Sequence, residues 1–251
     1  MYQVIPITGL PEFRPGDDLP GVLAERLNGA KPGLEVGDIL VVTQKIVSKA
    51  EGRFVNLGDI EPSSDAVTLA AQVNKPPELV ELVLRESSAV VRASANVLIT
   101  RHRLGHVMAN AGIDASNIGS QSGDKVLLLP QNPDKSAAEI ADRCQSRCGI
   151  SPGVIIADSF GRPWRIGTVN VAIGIHNVPA IVDQRGEPDR DGRIMQVTQI
   201  AFADTVSAAA GLAMGEGREG LPACIVRGLH WEKSLQSRTD LLRSEREDLF
   251  R

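Results

Sequence analysis

The stretch Gly153-Val-Ile-Ile-Ala-Asp-Ser-Phe-Gly-Arg-Pro-Trp-Arg-Ile-Gly-Thr168 constrains the fold more than any other part of the chain. A short apolar run bounded by glycine reads as a buried strand. Its end carries the carboxylate of Asp158 and the hydroxyl of Ser159 to the surface. Arg162 and Arg165 follow within seven residues, in what reads as a Gly/Pro-containing loop. Hard oxygen donors suit Mg²⁺ or Mn²⁺, and guanidinium groups clamp phosphate or carboxylate. The stretch therefore suggests a metal–polyphosphate site. A strand end whose aspartate caps a turn and pairs with a surface arginine explains the same residues without function.

Helical and extended patterns interleave along the rest of the chain. Tyr2–Thr8, Asp38–Thr43, Ala95–Thr100, Lys125–Leu129, Val169–Ile175 and Ala223–Val226 read as extended, with Gly105–Asn110 continuing a hairpin. Helices are expected at Leu19–Asn28 behind an Asp18 cap, at Asp65–Val73 and Glu78–Arg85 on either side of Pro76-Pro77, and from Pro133 to about Cys148. Asn132 caps that last helix and Gly149 stops it. An Ala-rich helix is expected over Gln199–Met214. Ala111–Gly123 and Asp183–Arg193 read as loops, and the charged tail Glu232–Arg251 as a surface helix. The order indicates a mixed α/β (α+β) fold without the regular alternation of a doubly wound sheet. No linker or repeat interrupts it.

Charge and composition exclude several classes. Net charge is -4, from 27 basic and 31 acidic groups, so a general nucleic-acid surface is not expected. Five Phe, two Trp and one Tyr are too few for a base-stacking platform. The three cysteines, Cys144, Cys148 and Cys224, fit a reducing cytosol. Cys144 and Cys148 have no second pair to complete a zinc site. The N-terminus lacks the features of a signal peptide, and no apolar run approaches a membrane span. A cytoplasmic protein is expected. No P-loop pattern occurs: Gly119–Lys125 has the wrong spacing. Gly215-Glu-Gly217-Arg-Glu-Gly220 has dinucleotide-loop glycines but follows a helix, so it reads as a helix stop. His102 and His106 lack the glutamate of a zinc-protease helix and read as structural or surface residues.

Four further stations carry chemistry. Gly9–Asp18 forms a Gly/Pro turn after a strand, whose backbone N–H groups could face an anion, or an ordinary loop into a helix. Val42–Arg53 places Lys45 and Lys49 four apart after a buried strand, with Ser48 beside the second; they suit phosphate charge or are solvated edge lysines. Asn110–Asn117 offers Asp114 and Asn117 in a glycine loop, for a metal and a nucleotide contact or for an Asx-turn. The helix end Met214–Gly217 is the fourth. Together these supply what phosphoryl transfer needs: metal ligands, charge neutralisation and positioning.

In this order the stations resemble the coenzyme F420-0:γ-glutamyl ligase family. The matching text is Gly9–Asp18, Val41–Arg53, Ala109–Asn117, Ile156–Arg165, Asp183–Arg193 and Ile225–Gly228, so the resemblance spans about residues 2–230. It implies a ligase that joins L-glutamate to the lactyl carboxylate of a deazaflavin acceptor (F420-0), with GTP as cosubstrate, Mg²⁺ or Mn²⁺, and K⁺ as a further expectation. By motif, Leu10, Pro11, Glu12, Phe13, Gln44, Lys49, Asn117, Met214 and Gly215 resemble nucleotide contacts. Asp114, Asp158 and Ser159 resemble metal ligands, with Asp158 and Lys49 central to catalysis. Arg162 and Arg165 are candidates to hold the acceptor. The resemblance further implies an intertwined homodimer, a fold that is neither P-loop nor ATP-grasp, and two interlocked subdomains within residues 1–230. Two features depart from the family pattern. Ile166 stands where asparagine is common after Trp-Arg, in the loop beside the expected metal site. Gln44 stands where a small hydroxyl is frequent. No reductase-like extension follows, so a second activity of that kind is not expected. A ligase for another carboxylate acceptor, or a non-catalytic nucleotide-binding protein, are the alternatives.

Overall fold

The computed structural model describes residues 1–29, 31–117, 124–244 and 246–248. In chain order the elements are β1 (Gln3–Pro6), α1 (Leu19–Asn28), β2 (Ile39–Thr43), α2 (Gln44–Ala50), β3 (Phe54–Asn56), α3 (Ser64–Val73), α4 (Pro77–Arg85), β4 (Ser87–Ser94), β5 (Val97–His102), β6 (Val107–Ala109), β7 (Lys125–Leu127), α5 (Pro133–Cys148), β8 (Gly153–Arg162), β9 (Arg165–His176), β10 (Ile181–Asp183), β11 (Gln199–Ala201), α6 (Phe202–Met214) and β12 (Ala223–Arg227). The fold is mixed α/β, as the interleaved patterns indicate.

The central sheet has five strands in the order β1-β12-β2-β8-β9. β2 and β8 run parallel, Thr43 opposite Ala157, and the other neighbours are antiparallel. Successive side chains of a strand point to opposite faces, and both faces here are covered. Leu40, Val42, Val154 and Ile156 pack with Leu23 and Leu27 of α1 and Ile140 and Ala141 of α5. Ile39, Val41, Ile155 and Ala157 pack with Ala203, Val206 and Ala210 of α6. The apolar runs of β2 and β8 have no polar face because neither face meets water. Smaller clusters lie around α3, α4 and β5, and around Leu82, Val126 and Leu128.

Helix ends follow local chemistry. Asp18 Oδ1 accepts from Gly21 N at 3.0 Å, and Asn132 Oδ1 from Lys135 N at 3.2 Å. Each such cap contributes about 1 kcal/mol. Gly149 ends α5 at φ 73°, a left-handed conformation that glycine adopts without a Cβ penalty.

Three expectations are corrected, and one strand that the sequence does not announce is added. Arg162 and Arg165 do not lie in a loop: β8 runs on past Ser159 to Arg162 and turns tightly into β9, with the two arginines as register partners. Gln199–Ala201 is a strand rather than the start of the Ala-rich helix, because its backbone pairs with Ile181–Asp183. β4 is a strand that its mixed Ser, Ala, Val and Arg content concealed; it pairs with β5 through two register shifts. The tail is not an α-helix among its described residues, which hold only a 3₁₀ turn at Arg238–Leu241. It is a strap whose polar groups bond to the body. Ser234 N donates to Asn177 O at 2.9 Å and Trp231 Nε1 to Gly37 O at 2.9 Å, while Gln236 Oε1 accepts from Ile181 N at 3.1 Å. The part of the Ala111–Gly123 loop at 118–123, with most of the Gly119–Lys125 pattern, lies outside the described residues, as do tail positions 245 and 249–251. Among the described residues no helix is long and apolar enough to cross a membrane.

Candidate active site

A cleft of about 920 Å³ opens where β2 and β8 end. Crevices at the carboxyl ends of parallel strands are common ligand sites. β2 passes at Thr43 directly into α2, which projects Gln44, Lys45 and Lys49 toward the cleft. β8 brings Asp158 and Ser159. Alternation along that strand sends Asp158 to the α2 side, with Val154 and Ile156, and Ser159 to the α6 side, with Ile155 and Ala157.

The third wall is the loop after β6. Asn110, Ala111 and Gly112 have φ values of 49°, 51° and 70°, a left-handed run that turns the chain sharply. A Cβ on Gly112 would lie 2.8 Å from Met108 and Leu129 side chains, so glycine is required there. The turn sets Asp114 opposite Leu127, where the two residues exchange backbone hydrogen bonds of 3.1 and 2.8 Å. Asp114 Oδ1 accepts from Ser116 N at 2.6 Å, an Asx-turn. Its Oδ2 also lies 2.7 Å from Lys45 Nζ. The Asx-turn and a functional orientation thus coexist in one carboxylate.

The remaining walls are the Leu10–Phe13 turn and the loop from Met214 to Pro222. Lys49 is 5% exposed, not a solvated edge lysine, and its Nζ donates to Glu12 Oε1. Asn117 Nδ2 donates to Gly217 O at 3.2 Å, joining the Asp114 loop to the one after α6. Asn170 of β9 donates from Nδ2 to Glu216 Oε1 at 2.6 Å.

Electrostatics differ sharply between the two aspartates. Burial drives the Asp158 pKa up to about 7, with the negative charge of Asp114 adding to it, against hydrogen bonds from Ser159 N–H and the Gln44 side chain. Burial acts in the same direction on Asp114, but hydrogen bonds from Lys45 and Ser116 and the Lys45 charge outweigh it and hold that pKa below the ordinary value. The Gln44 carbonyl is itself fixed by Ser48 Oγ at 2.9 Å.

Among the described residues no group of three or more His, Cys, Asp or Glu converges as a metal cage. Two carboxylates and a hydroxyl nevertheless fit Mg²⁺ or Mn²⁺, which is held by one or two carboxylates with water and phosphate completing the shell. The buried carboxylate of Asp158 close to the negative charge of Asp114, only partly offset by its hydrogen bonds, is the observation that favours a cation there. Asp114, Asp158 and Ser159 are the residues that would hold it.

The cleft therefore gathers Leu10, Pro11, Glu12 and Phe13 with Gln44 and Lys49, and adds Asp114, Asn117, Asp158, Ser159, Met214 and Gly215. It does not gather Arg162 or Arg165, which stand at the exposed hairpin end, Arg162 Nη1 donating to Gly167 O at 3.1 Å. Ile166, 103% exposed, is at that same end and not beside the aspartates. Sequence reading missed Asn170 and the stretch Arg218–Pro222, and it gave Ser116 no role within the Asn110–Asn117 station. The glycines of Gly215–Gly220 were the available signal: Gly215 does cap α6, and the loop also forms a cleft wall.

A family model described as F420-0:Gamma-glutamyl ligase matches residues 8–228. A protein named Coenzyme F420:L-glutamate ligase from Methanopyrus kandleri is 43% identical over 245 residues, covering 96% of this chain and 94% of its own. Proteins of the same name from Archaeoglobus fulgidus and Methanothermobacter thermautotrophicus are 42% and 40% identical, each over 99% of this chain and over 96% and 98% of their own lengths.

Proposed function

Because the chain belongs to the F420-0:gamma-glutamyl ligase family, we propose that it is an amide-forming ligase adding L-glutamate to the lactyl carboxylate of F420-0, and further γ-linked glutamates, at the expense of GTP. The observation that carries the reading is the single cleft into which five separated segments bring the motif residues. We read the protein as a cytoplasmic homodimer with two interlocked subdomains within residues 1–230; K⁺ stays part of the proposal.

On this reading GTP lies against Leu10–Phe13, Gln44, Asn117 and the loop from Met214. Lys49 reaches the phosphates from a buried stem, and the 70% exposed side chain of Glu12 gives way to the nucleotide. Lys45 offsets phosphate charge beside Asp114. The divalent ion held by Asp114, Asp158 and Ser159 supplies charge neutralisation when bound. An acceptor carboxylate oxygen attacks the γ-phosphorus in line. The bond from that phosphorus to the β–γ bridging oxygen breaks, and GDP leaves with the electron pair. The glutamate amine then attacks the acyl carbon of the acyl phosphate. The carbon–oxygen bond to phosphate breaks, inorganic phosphate leaves, and the ammonium proton passes to solvent. The chain's own contribution is orientation and charge, which phosphoryl transfer needs most.

Ile166 lies outside the cleft and gives no support to a different acceptor. Incubation with GTP, Mn²⁺, L-glutamate and F420-0, followed by mass spectrometry, tests the proposal. Glutamate addition with GDP release is expected, and near-wild-type ligation by Asp158→Ala with saturating metal would overturn the site assignment. GTP binding without turnover would instead indicate a binding protein.

A further inference from the structure

We propose that Asn170 is a positioning residue for the nucleotide, acting through Glu216, and that the absence of a side chain at Gly211 is what permits it. The inference rests on the nucleotide reading above. Asn170 stands on β9 directly opposite Ser159 of β8. It is 9% exposed, a buried polar residue that lines the cleft beside the loop from Met214 to Pro222. A buried carboxamide is costly unless its polar atoms are bonded. Here Nδ2 donates to Glu216 Oε1 at 2.6 Å, a charge-assisted bond. Glu216 follows the glycine that ends α6, so this bond fixes the direction in which the chain leaves the helix.

The same carboxamide explains a glycine inside α6. A Cβ on Gly211 would lie 2.5 Å from Asn170 Nδ2 and 2.8 Å from its Cγ. Glycine in a helix interior is otherwise unfavourable, and here it makes room for the side chain that holds the loop. Asn117 Nδ2 on Gly217 O and Glu219 Oε2 accepting from Gly217 N at 2.8 Å fix the next turn of the same loop. Asn170 is the member of this set that connects the loop to the strand pair carrying Asp158 and Ser159. It sets the distance between the phosphate-side and metal-side walls without touching substrate.

The test measures binding of a non-hydrolysable GTP analogue with Mn²⁺, together with steady-state kinetics and melting temperature. Asn170→Asp places a second carboxylate against Glu216. It is expected to weaken analogue binding and raise KM for GTP by about tenfold, with kcat and the KM for glutamate within about twofold. Asn170→Asp with Glu216→Gln restores the bond in the reverse direction, because the glutamine donates to the new carboxylate. Binding is expected to return to within about threefold of wild type. Gly211→Ala displaces the carboxamide by a different route. It is expected to weaken binding comparably while leaving the melting temperature close to that of wild type, because the helix propensity of alanine offsets the lost bond; a merely structural role would lower the two together. Wild-type binding by Asn170→Asp, no recovery in the double variant, or weakening in Gly211→Ala only in step with a lower melting temperature overturns the inference. Should Asn170→Asp not fold, Gly211→Ala carries the same comparison. A folded wild type that fails to bind the analogue overturns the nucleotide reading and this inference together; a wild type that binds while the variants bind equally overturns this inference alone.

Discussion

Lys45 Nζ lies 2.7 Å from Asp114 Oδ2 and 3.0 Å from Ser116 O, so one ammonium ties the first turn of α2 to the loop that carries the aspartate. The pair is partly exposed, at 23% and 34%, which limits its worth to stability. Its consequence is in the cleft. Lys45→Met leaves Asp114 and Asp158 as two neighbouring carboxylates without a cation and removes a positive charge from the phosphate side. We expect kcat/KM for GTP to fall about 10- to 100-fold, mostly through KM, with a melting temperature close to wild type. Steady-state kinetics with varied GTP checks this; an unchanged KM would place the phosphates elsewhere.

Removing divalent metal should abolish ligation and leave the fold intact. The site has two carboxylates and a hydroxyl and belongs to no structural core, so folding does not depend on it. Treatment with EDTA followed by dialysis is expected to eliminate glutamate addition, with recovery on adding Mn²⁺ or Mg²⁺. Circular dichroism should be superimposable throughout. Undiminished activity in the presence of chelator would contradict the assignment of Asp114, Asp158 and Ser159.

Asp158 and His106 should tilt the pH dependence of stability in opposite directions. The Asp158 pKa is raised from 3.8 to about 7. Between those values the folded state holds the extra proton, so stability falls as pH rises. The His106 pKa is lowered from 6.5 to about 4, chiefly by burial and then by the charge of Arg238. Across that window the unfolded state holds the extra proton, so stability rises with pH. Each contributes up to about 1.4 kcal/mol per pH unit, and the two slopes largely cancel between about pH 4.5 and 6.5. In metal-free protein, Asp158→Asn should unmask a rising slope and His106→Asn a falling one. Urea titrations at several pH values measure both. Parallel curves for all three proteins would contradict the environments assigned to these groups.

The parts of the fold legible in the sequence are those where burial is local. The runs at Ile39–Val42 and Val154–Ala157 announce buried strands because both of their faces meet apolar helices, and α1 and α5 announce themselves through Asp18, Asn132 and Gly149. β4 and β11 escaped because exposed strands carry no apolar alternation, and their pairing depends on partners remote in sequence. The same distinction governs the site. Asp114, Asp158 and Lys49 sit inside extended motifs, whereas Asn170 is one polar residue in a strand whose importance arises only when α6 packs beside it at Gly211. Arg162 and Arg165 misled in the opposite sense. Proximity in sequence to Asp158 put them beside the site, but a strand advances about 3.3 Å per residue, so its continuation carries them out to the hairpin end.

Glu86 gives the last test, because two guanidinium groups and an imidazole share its carboxylate. Oε2 lies 3.0 Å from Arg53 Nη2, 3.3 Å from Arg103 Nε and 3.5 Å from His102 Nε2. These partners come from the chain before β3, from the turn after β5 and from β5 itself. Arg53 also donates from Nε to Leu129 O at 3.0 Å, next to the segment that pairs with Asp114. Burial alone would raise the Glu86 pKa. The His102 hydrogen bond and the charges of Arg103 and Arg53 outweigh it and lower the value from 4.5 to about 2. A depressed carboxylate contributes stability that is fully present above pH 4.5 and lost as pH falls toward 2. Glu86→Gln keeps the shape but leaves two guanidinium groups, one of them on an only 15% exposed side chain, without their counter-charge. We expect a loss of about 2–3 kcal/mol at neutral pH, and a flatter acid limb between pH 4.5 and 2. Chemical denaturation of both proteins at pH 7 and pH 3 decides it. The gap between them should narrow at the lower pH, and a constant gap would show that the glutamate acts through packing and not through charge.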